Sequence, residues 1–402
     1  MANTKALCVL TNVLGNVMVT RALMRALDRL PGLDPTYVIL GGDDYVKYPA
    51  PWWARLTSPW EAEYIARQRT QAERQRPFDI LLVHGWENAV TFQDLGRRIP
   101  AAAVLDAVPA TVDKQIRLRG DVSWKRWAAH QVHHRAFRAA AAAYNCWLPM
   151  TSECAASLRH DYGVGAERCF VTLSPQDIGW WAPPARSFAP PWRGLFVGND
   201  FERKGGEFLL RLYTGHLANV CTLTIVSNDP TLAGRKLPPG VQWIRGATRD
   251  QVRDAYWNSH IFLFPTRQDY GPHVVAEASA AGVPSFATDV GGVPDMIQNG
   301  ESGFILPRGA SLEHWAERVH RLLAEPEAVR QMSGKAREFA EAFLSVERYD
   351  RLVSNVINRL RAATWCNAPE GPLRSAISSM QRSHWTEAPV RRHKARHVKT
   401  AQ

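Results

Sequence analysis

Short apolar runs alternate with amphipathic stretches along most of the chain. Buried parallel strands are short and uniformly apolar, whereas helices repeat apolar residues at every third or fourth position. The pattern predicts strands at residues 5–11, 37–40, 78–84, 101–105, 146–149, 170–174, 194–197, 223–227, 241–245, 261–265, 285–288 and 300–306. It predicts helices at residues 17–30, 60–76, 112–145, 152–162, 207–213, 249–257, 273–281, 293–297, 312–323, 328–343 and 346–363, and an aromatic loop at 43–60. This alternation is typical of α/β domains with parallel sheets.

The alternation restarts after a stretch rich in proline. Pro183, Pro184, Pro190 and Pro191 separate the strand at 170–174 from the strand at 194–197. With 402 residues, the chain is also longer than one ordinary domain. The predicted organisation is a first α/β domain at 1–180, a linker at 181–192, a second α/β domain at 193–345, a further helix at 346–364 and a basic flexible tail at 365–402.

Candidate chemistry is densest between residues 261 and 307. Asp269 lies in the loop after a predicted strand, and Glu277 lies eight positions later inside the next helix. Gly271 permits close approach of the backbone to a ligand, and a helix N-terminus attracts anions. The helix start is formed by Pro272, His273 and Val274. Because ligands bind at the carboxyl ends of strands in open α/β sheets, a phosphorylated sugar suits this loop. The alternative is an ordinary βαβ unit whose acids are solvated.

A second loop, at residues 198–206, follows the first strand of the second domain. It contains Asn199, Arg203 and Lys204, and it ends in Gly205 and Gly206 at the start of a helix. Two cations beside a diphosphate would neutralise a departing phosphate without a metal. The alternative is a pair of exposed basic residues at a helix N-terminus.

The first domain offers three candidate positions at the ends of its strands. Gly15 lies in a glycine loop after the first strand, His84 ends the third, and Asp106 follows the fourth. His84 is expected to face a ligand because it lies at the carboxyl end of a strand, although a core histidine is the alternative. His130, His133 and His134 lie at helical spacing, but we identify no carboxylate near them in sequence that would complete a metal site.

Charge and composition narrow the class of partner. The net charge is +11, and residues 365–402 alone hold seven Lys or Arg against two Glu. This balance favours anionic partners, either nucleotide sugars, lipid phosphates or the surface of an anionic membrane. The six cysteines form no Cys-x-x-Cys pair, and no Gly-x-Gly-x-x-Gly motif supports a dinucleotide oxidoreductase. Without a signal peptide or a spanning segment, we expect a cytoplasmic protein, at most peripheral to the inner membrane.

Residues 269–292 resemble the donor-binding signature of retaining GT-B glycosyltransferases, specifically glycosyltransferase family 4. That signature is a Glu, seven residues, a second Glu, an Ala-rich helix, Gly-x-Pro, a strand and Gly-Gly. Here Asp269 and Glu277 have this spacing, Gly282-Val283-Pro284 ends the helix, and Gly291-Gly292 follows the next strand. Asp269 departs from the family, which usually has the longer Glu.

The resemblance implies a GT-B fold. In this α/β fold two Rossmann-like domains face each other across a cleft, and a C-terminal helix crosses back to the first domain. The implied activity is transfer of a sugar from a nucleotide-diphosphate donor to an acceptor hydroxyl with retention of configuration, in polysaccharide or glycolipid biosynthesis. No metal or cofactor is implied beyond the donor as co-substrate. The implied partners are this donor and a carbohydrate or lipid-linked acceptor, with possible contact with an anionic membrane and no nucleic acid.

The resemblance also assigns roles to individual residues. Lys204 and Arg203 would take the leaving phosphates, and Asp269 would orient the donor sugar. Glu277 would accept hydrogen bonds from the ribose. The remaining assignments are phosphate contacts at Gly271 and Gly15, base contacts near Ile244 and Arg245, an acceptor contact at Asp106, and Asn199 in the place of a usual Arg. Two other classes stay open: a sugar-nucleotide epimerase of the same fold and a non-catalytic sugar-nucleotide-binding protein.

Overall fold

Two parallel sheets organise the protein. The computed structural model describes residues 3–12, 16–48, 50, 58–118 and 124–362. Gly15 and the basic tail at 365–402 therefore lie outside the described residues. The first sheet has the order β2-β1-β3-β4-β5. Its strands are β1 (Thr4–Thr11), β2 (Leu33–Leu40), β3 (Ile80–His84), β4 (Ala101–Leu105) and β5 (Cys146–Pro149).

The second sheet has the order β11-β10-β9-β6-β7-β8, and all its neighbouring strands are parallel. Its strands are β6 (Trp192–Val197), β7 (Cys221–Val226), β8 (Val241–Ile244), β9 (Ile261–Phe264), β10 (Ser285–Thr288) and β11 (Gly303–Leu306). Strands β3, β4, β9 and β10 are buried along their whole length. Of these, β4 and β9 are continuous apolar runs, as expected for strands of a parallel sheet that is covered on both faces.

Fourteen α-helices surround the sheets in the described part of the chain. The first eight are α1 (Asn16–Asp28), α2 (Gly42–Lys47), α3 (Ser58–Arg69), α4 (Trp86–Thr91), α5 (Gln93–Gly96), α6 (Pro109–Leu118), α7 (Trp124–Ala143) and α8 (Ser152–Tyr162). The other six are α9 (Gly206–Leu212), α10 (Arg249–Trp257), α11 (His273–Ala280), α12 (Leu312–Leu323), α13 (Pro326–Phe339) and α14 (Val346–Ala362). Helices α9 and α13 each continue into one π-helical segment, Tyr213–Leu217 and Ala340–Leu344 respectively.

Helix α14 returns to the first sheet after the second domain is complete. It packs against α1, and Arg25 on α1 donates to the Asp350 carboxylate at 2.9 Å. On its opposite side, Arg348 donates to the Thr172 carbonyl at 3.0 Å. The predicted crossover helix is therefore confirmed, and its apolar residues Tyr349, Val353 and Val356 are buried.

The predicted strand at residues 170–174 is wrong. Phe170 and Thr172 donate backbone hydrogen bonds to residues of β5, but Leu173 has a φ of 59°. This left-handed conformation is rare for a side chain larger than glycine and interrupts the extended backbone that a strand requires. The segment is therefore an irregular connection that turns its end towards the second domain.

Part of the predicted loop at residues 43–60 is helical. The Asp44 carboxylate accepts a hydrogen bond from the Gly41 amide at 2.8 Å and thereby stabilises the start of α2. Residues 58–60 begin α3, while 49 and 51–57 lie outside the described residues. The part of the predicted aromatic loop at 49 and 51–57 therefore has no structural account.

Two further observations bear on cysteines and membranes. The five described cysteines are all free thiols. In the described ranges no helix combines the length and the apolar character needed to cross a bilayer.

Candidate functional site

The centre of the candidate site is an ion pair between Lys204 and Asp269. The Lys204 amine donates to Asp269 Oδ2, and the two side chains are only 14% and 10% exposed. Strands β6 and β9, which precede the two residues in the chain, are neighbours in the second sheet. Two residues 65 positions apart are therefore brought together at the carboxyl ends of parallel strands. Burial lowers the pKa of Lys204, and the adjacent Asp269 carboxylate partly offsets that effect.

The glycines before α9 allow the Lys204 loop to pack closely against β9. Gly205 has a φ of 81°, and a Cβ atom at this position would overlap the Pro265 carbonyl oxygen. The Lys204 amine lies 5.2 Å from the centre of the Phe264 ring, which gives it a cation–π contact. Lys204 is thus held by two contacts, one with the Phe264 ring of β9 and one with the Asp269 carboxylate.

Arg203 and Asn199 serve mainly to shape the same loop. The Arg203 guanidinium donates to Asp200 at 2.6 Å and to the Gln268 carbonyl at 2.8 Å, so it joins the two loops that carry Lys204 and Asp269. Asn199 is exposed, and its Oδ1 accepts from the Asn228 amide at 3.0 Å. Asn199 therefore contacts a neighbouring loop and supplies no charge near Lys204.

A glycine turn after β10 supports the Asp269 loop from behind. A Cβ atom on Gly291, whose φ is 55°, would overlap the Asp269 carbonyl oxygen. A Cβ atom on Gly292 would overlap Thr151, which belongs to the first domain. The Gly-Gly pair of the signature is therefore explained by the absence of space for any side chain.

Helix α11 begins beside this pair. Pro272 has no N–H, and the His273 amide donates to the Gly271 carbonyl at 2.8 Å, which leaves Val274 to present an amide at the helix start. The His273 ring is held by Ser174 Oγ, which lies 2.6 Å from Nδ1. Burial lowers the pKa of His273 to about 4, so the ring is neutral near pH 7. Ser174 follows the left-handed Leu173, and this contact joins the two domains.

Glu277 lies on the next turn of α11 and contacts a buried tyrosine. Tyr256 OH lies 2.9 Å from the Val274 carbonyl oxygen and 3.2 Å from Glu277 Oε2, and its single proton is shared between these two acceptors. Burial raises the pKa of Glu277 to about 7, although the Tyr256 hydrogen bond and the charge of Arg249 both oppose this rise. The carboxylate is therefore poised to change its protonation near neutral pH.

In the first domain, Asp106 lies close to the Gly271 loop, and His84 lies buried at the end of β3. A Cβ atom on Gly271 would lie 3.9 Å from Asp106 Cβ and 3.5 Å from Met150 Cε. Burial raises the pKa of Asp106, and the negative charge of Asp269 raises it further. His84 is fully buried; its Nδ1 lies 3.4 Å from Thr20 Oγ1, and burial lowers its pKa to about 4.

Ile244 and Arg245 lie at the far end of the second sheet. Ile244 ends β8 and is half-buried, whereas Arg245 is exposed. The neighbouring Gly246 amide donates to Asn228 Oδ1 at 2.7 Å, and Asn228 is in turn bonded to Asn199. The structure gives these two residues no direct contact with the Lys204–Asp269 pair.

Several residues that contact the site were not singled out from the sequence. Gln115 on α6 is buried, its Nε2 lies 3.7 Å from the Cβ position of Gly291, and its Oε1 has no hydrogen-bond partner among the described residues. Ser152, at the start of α8, donates to Asp295 from its amide at 2.6 Å and from its hydroxyl at 2.5 Å. Asp295 has a sequence signal, since it follows the Gly-Gly turn by three positions. Gln115 and Ser152 have none, because they reach the site from distant elements.

The histidine cluster also differs from the expectation. Asp113 on α6 contacts both His130 and His134 on α7, so a carboxylate does neighbour these histidines. Tyr162 OH lies 2.8 Å from the other nitrogen of His134, and His133 packs edge-on against Trp86. In the described ranges no group of three or more His, Cys, Asp or Glu is arranged to hold a metal ion. The cluster therefore joins α6, α7 and α8.

Comparison with known proteins adds a family and a fold. Residues 191–339 match the family described as glycosyl transferases group 1. The chain is 30% identical over 254 residues to D-inositol 3-phosphate glycosyltransferase of Nocardiopsis dassonvillei. The aligned region covers 54% of this chain and 55% of that protein. It is 32% identical over 150 residues to N-acetyl-alpha-D-glucosaminyl L-malate synthase of Bacillus anthracis. That aligned region covers 36% of this chain and 37% of the relative. The chain thus spans about half the length, or less, of these curated relatives.

Solved structures match over a greater length at lower identity. Sucrose-phosphate synthase from Thermosynechococcus elongatus has a TM-score of 0.72 at 14% identity, covering 90% of this chain and 100% of that one. HepE of Anabaena, solved in complex with UDP-glucose, has a TM-score of 0.65 at 14% identity, covering 89% and 100%. At this identity the likeness shows the fold alone. The chain accordingly has the GT-B fold, with two Rossmann-like α/β domains, and the match to glycosyl transferases group 1 lies within the second of them.

Proposed function

We propose that this protein is a glycosyltransferase that moves a sugar from a nucleotide-diphosphate donor to an acceptor hydroxyl with retention of configuration. The observation that carries the proposal is the buried pair of Lys204 and Asp269 at the carboxyl ends of neighbouring strands. Lys204 is the cation that a diphosphate requires, and the Asp269 loop leads directly into α11, whose N-terminus favours an anion.

The donor site follows from the positions of these groups. Lys204 binds the diphosphate, and Arg203 stabilises the loop while adding positive charge next to it. Asp269 binds hydroxyls of the donor sugar, and Glu277 accepts hydrogen bonds from the ribose. The base lies towards Ile244 and Arg245. The family match over residues 191–339 and the UDP-glucose bound to the structural neighbour HepE support a nucleotide sugar as donor.

The chemical step exchanges one bond at the anomeric carbon for another. The bond between that carbon and the β-phosphate oxygen breaks, and a bond to the acceptor oxygen forms on the same face. The acceptor proton passes to the departing phosphate oxygen, so the products are a glycoside and a nucleoside diphosphate. Lys204 and the α11 N-terminus stabilise the negative charge that develops on the leaving phosphate. This step needs no protein nucleophile and no metal.

The remaining parts of the proposal concern the cellular location and the biosynthetic pathway. We place the protein in the cytoplasm, peripheral to an anionic inner membrane, and in polysaccharide or glycolipid biosynthesis. The basic residues of the tail support the membrane contact through their charge alone. A sugar-nucleotide epimerase and a non-catalytic binding protein are the competing functions, and no contact in the described residues favours either.

A screen of nucleotide sugars tests the proposal. The full chain is incubated with UDP-, GDP- and ADP-sugars in the presence of simple sugar acceptors and in EDTA. We expect ligand-detected NMR to identify one bound nucleotide and mass spectrometry to detect a glycoside, with the α-configuration of an α-linked donor preserved. An epimerised donor, or binding without any product across the acceptors tested, would contradict the assignment.

A further inference from the structure

An arginine without an acidic partner lies at the start of α10. Arg249 is the first residue of this helix, and its side chain is exposed. Within the described part of the chain its guanidinium forms no ion pair and no hydrogen bond, and its one close contact is with the ring of Trp180. All five N–H donors of the guanidinium are therefore available to a ligand.

The Trp180 indole holds this guanidinium in place. Arg249 Cζ lies 3.9 Å from the centre of the Trp180 ring, which is a stacking distance. Trp180 in turn packs edge-on against the buried Trp181, with ring centres 4.6 Å apart. Stacking uses the face of the planar guanidinium and leaves the donors along its edges. A cation that is already held costs less entropy to use than a free side chain.

The same face of α10 leads from Arg249 to Glu277. Arg249 and Tyr256 are seven positions apart, so they lie on one side of the helix. Tyr256 OH lies 3.2 Å from Glu277 Oε2. Burial raises the pKa of Glu277, and the charge of Arg249 opposes this rise. The exposed cation and the acid assigned to the ribose therefore belong to one site.

The loop that enters α10 is the loop assigned to the base. It runs from Ile244, which ends β8, through Gly246 to Thr248, whose side chain caps α10. Arg249 follows this loop directly, whereas the hydroxyl that contacts Glu277 lies two turns further along the helix. A nucleoside with its ribose at Glu277 and its base over this loop would present to Arg249 the base edge that is most remote from the ribose.

We propose that Arg249 selects the base of the donor by donating hydrogen bonds to a keto oxygen on that remote edge. The proposal rests on the proposed glycosyl transfer and specifies its donor as a nucleotide with a keto base. Uracil and guanine have a carbonyl oxygen on this edge, where cytosine and adenine have an amino group. Because a guanidinium has donors and no acceptor, it binds the oxygen and is mismatched to the amino group.

Two neighbouring arginines are less suited to this role. Arg245 lies in the same loop and is exposed, but in the described ranges no ring contact, hydrogen bond or ion pair fixes its side chain. Arg253 also packs on Trp180, at 4.8 Å, yet it pairs with Asp250 and Asp254. Arg253 thus shares the helix and the aromatic contact of Arg249 but not its free donors, which makes it a matched control.

The experiment compares nucleoside diphosphates that differ in one exocyclic group. UDP is compared with CDP, and inosine diphosphate with ADP, by calorimetric titration of the full chain at pH 8. Glu277 is largely ionised at this pH, because its pKa is about 7. We expect the keto member of at least one pair to bind about tenfold more tightly, as for a good base contact of an arginine. Arg249→Met, which keeps the length but removes the donors, should bring that ratio close to one, whereas Arg253→Met should preserve it.

A second measurement separates recognition of the base from a merely structural role. Arg249→Met also removes a charge that favours the Glu277 carboxylate, so nucleotide binding by this variant should require a higher pH than in the native protein. Equal binding of keto and amino members by the native protein, a preference for the amino members, or an unchanged ratio in folded Arg249→Met would overturn the base assignment alone. So would a ratio that is lost in Arg245→Met and kept in Arg249→Met. Failure of every nucleotide to bind would instead overturn the proposed function.

Discussion

At the scale of single residues, the pairing of Lys204 with Asp269 links stability to activity. The pair is buried, so either partner alone would leave an uncompensated charge. A donor diphosphate would draw Lys204 away from Asp269 and free the carboxylate for the sugar hydroxyls. In the proposed reaction the two groups would act separately, Lys204 on the diphosphate and Asp269 on the sugar.

Lys204→Ala should lower the rate of glycosyl transfer by about two orders of magnitude or more, as for loss of one preorganised charge at a leaving group. Steady-state kinetics with the identified donor measure this effect. Lys335→Ala is the control, because Lys335 is an exposed lysine paired with Glu338. EDTA should change neither rate, and a strict requirement for a divalent metal would contradict the proposed role of Lys204.

Glu277→Ala should weaken binding of the free nucleoside diphosphate by about 1.5–3 kcal/mol, the range of a hydrogen bond to a charged group. In the native protein, affinity should rise as the pH increases through 7, because Glu277 must lose its proton to accept two ribose hydroxyls. Calorimetric titrations between pH 6 and 8 measure both effects.

Tyr256→Phe is a matched test of the same carboxylate. The tyrosine hydroxyl holds the pKa of Glu277 down, so its removal should shift the pH dependence of nucleotide binding to higher pH. An unchanged affinity in folded Glu277→Ala would remove Glu277 from the nucleotide site.

At the scale of elements, glycine turns determine how closely loops approach. The turn after β10 and the turn before α9 both press against backbone carbonyls of the β9 loop. Neither contact can yield by rotation of a side chain, because both partners are main chain. The position of Asp269 thus depends on two turns that contact its loop through the main chain.

Gly291→Ala should destabilise the protein and abolish nucleotide binding, because the new methyl group overlaps the Asp269 carbonyl. Gly300→Ala is the control variant, which separates the effect of this overlap from the effect of backbone strain. Gly300 also has a positive φ, 83°, but no atom lies within 4 Å of its Cβ position. Thermal unfolding and nucleotide titration of both variants measure the difference. Equal effects of the two substitutions would assign the loss to backbone strain and not to packing against Asp269.

At the scale of the whole molecule, two sets of buried groups give opposite dependences of stability on pH. The pKa values of Glu63, Glu87 and Glu277 are raised to about 7, so the native state binds more protons than the unfolded chain between about 4.5 and 7. Their stabilising contribution is therefore lost as the pH rises through 7. His84, His133, His260 and His273 have pKa values lowered to about 4, so their contribution is lost as the pH falls from 6.5 to 4.

Glu87→Gln isolates one member of the first set. The variant cannot acquire a buried charge, so its melting temperature should exceed that of the native protein at pH 8 and match it near pH 5. Differential scanning calorimetry at the two pH values measures this difference. A constant difference across the range would show that Glu87 does not titrate with a raised pKa.

The basic tail provides a second prediction for the whole chain. Truncation after Ala363 should leave donor binding unchanged, because α14 already completes its packing on α1. It should reduce sedimentation with anionic vesicles at low salt, since each lost cation contributes about 1 kcal/mol near such a surface. Equal vesicle binding by full-length and truncated protein would remove the membrane role.

The sequence by itself determined the α/β class, most strands and the motif that contains Asp269, Glu277 and the Gly291-Gly292 pair. Buried parallel strands such as β4 and β9 are continuous apolar runs, and their helices have a clear period, so local pattern suffices. The spacing of Asp269 and Glu277, followed by Gly291 and Gly292, is likewise a local signal. Where local propensity conflicted with a tertiary contact, as at the left-handed Leu173, the predicted strand was wrong.

Only the tertiary structure decided which groups meet. Lys204 reaches Asp269 because β6 and β9 are neighbours, an adjacency that follows from strand order and not from spacing in the chain. Arg203 and Asn199 lie in the same loop of the sequence. In the fold Arg203 joins this loop to the Asp269 loop, whereas Asn199 accepts a hydrogen bond from the Asn228 amide. Glu87 and Asp106 are close for the same reason, because they follow the neighbouring strands β3 and β4. Contacts between residues far apart in the chain depend on how apolar surfaces pack together, which no local pattern encodes.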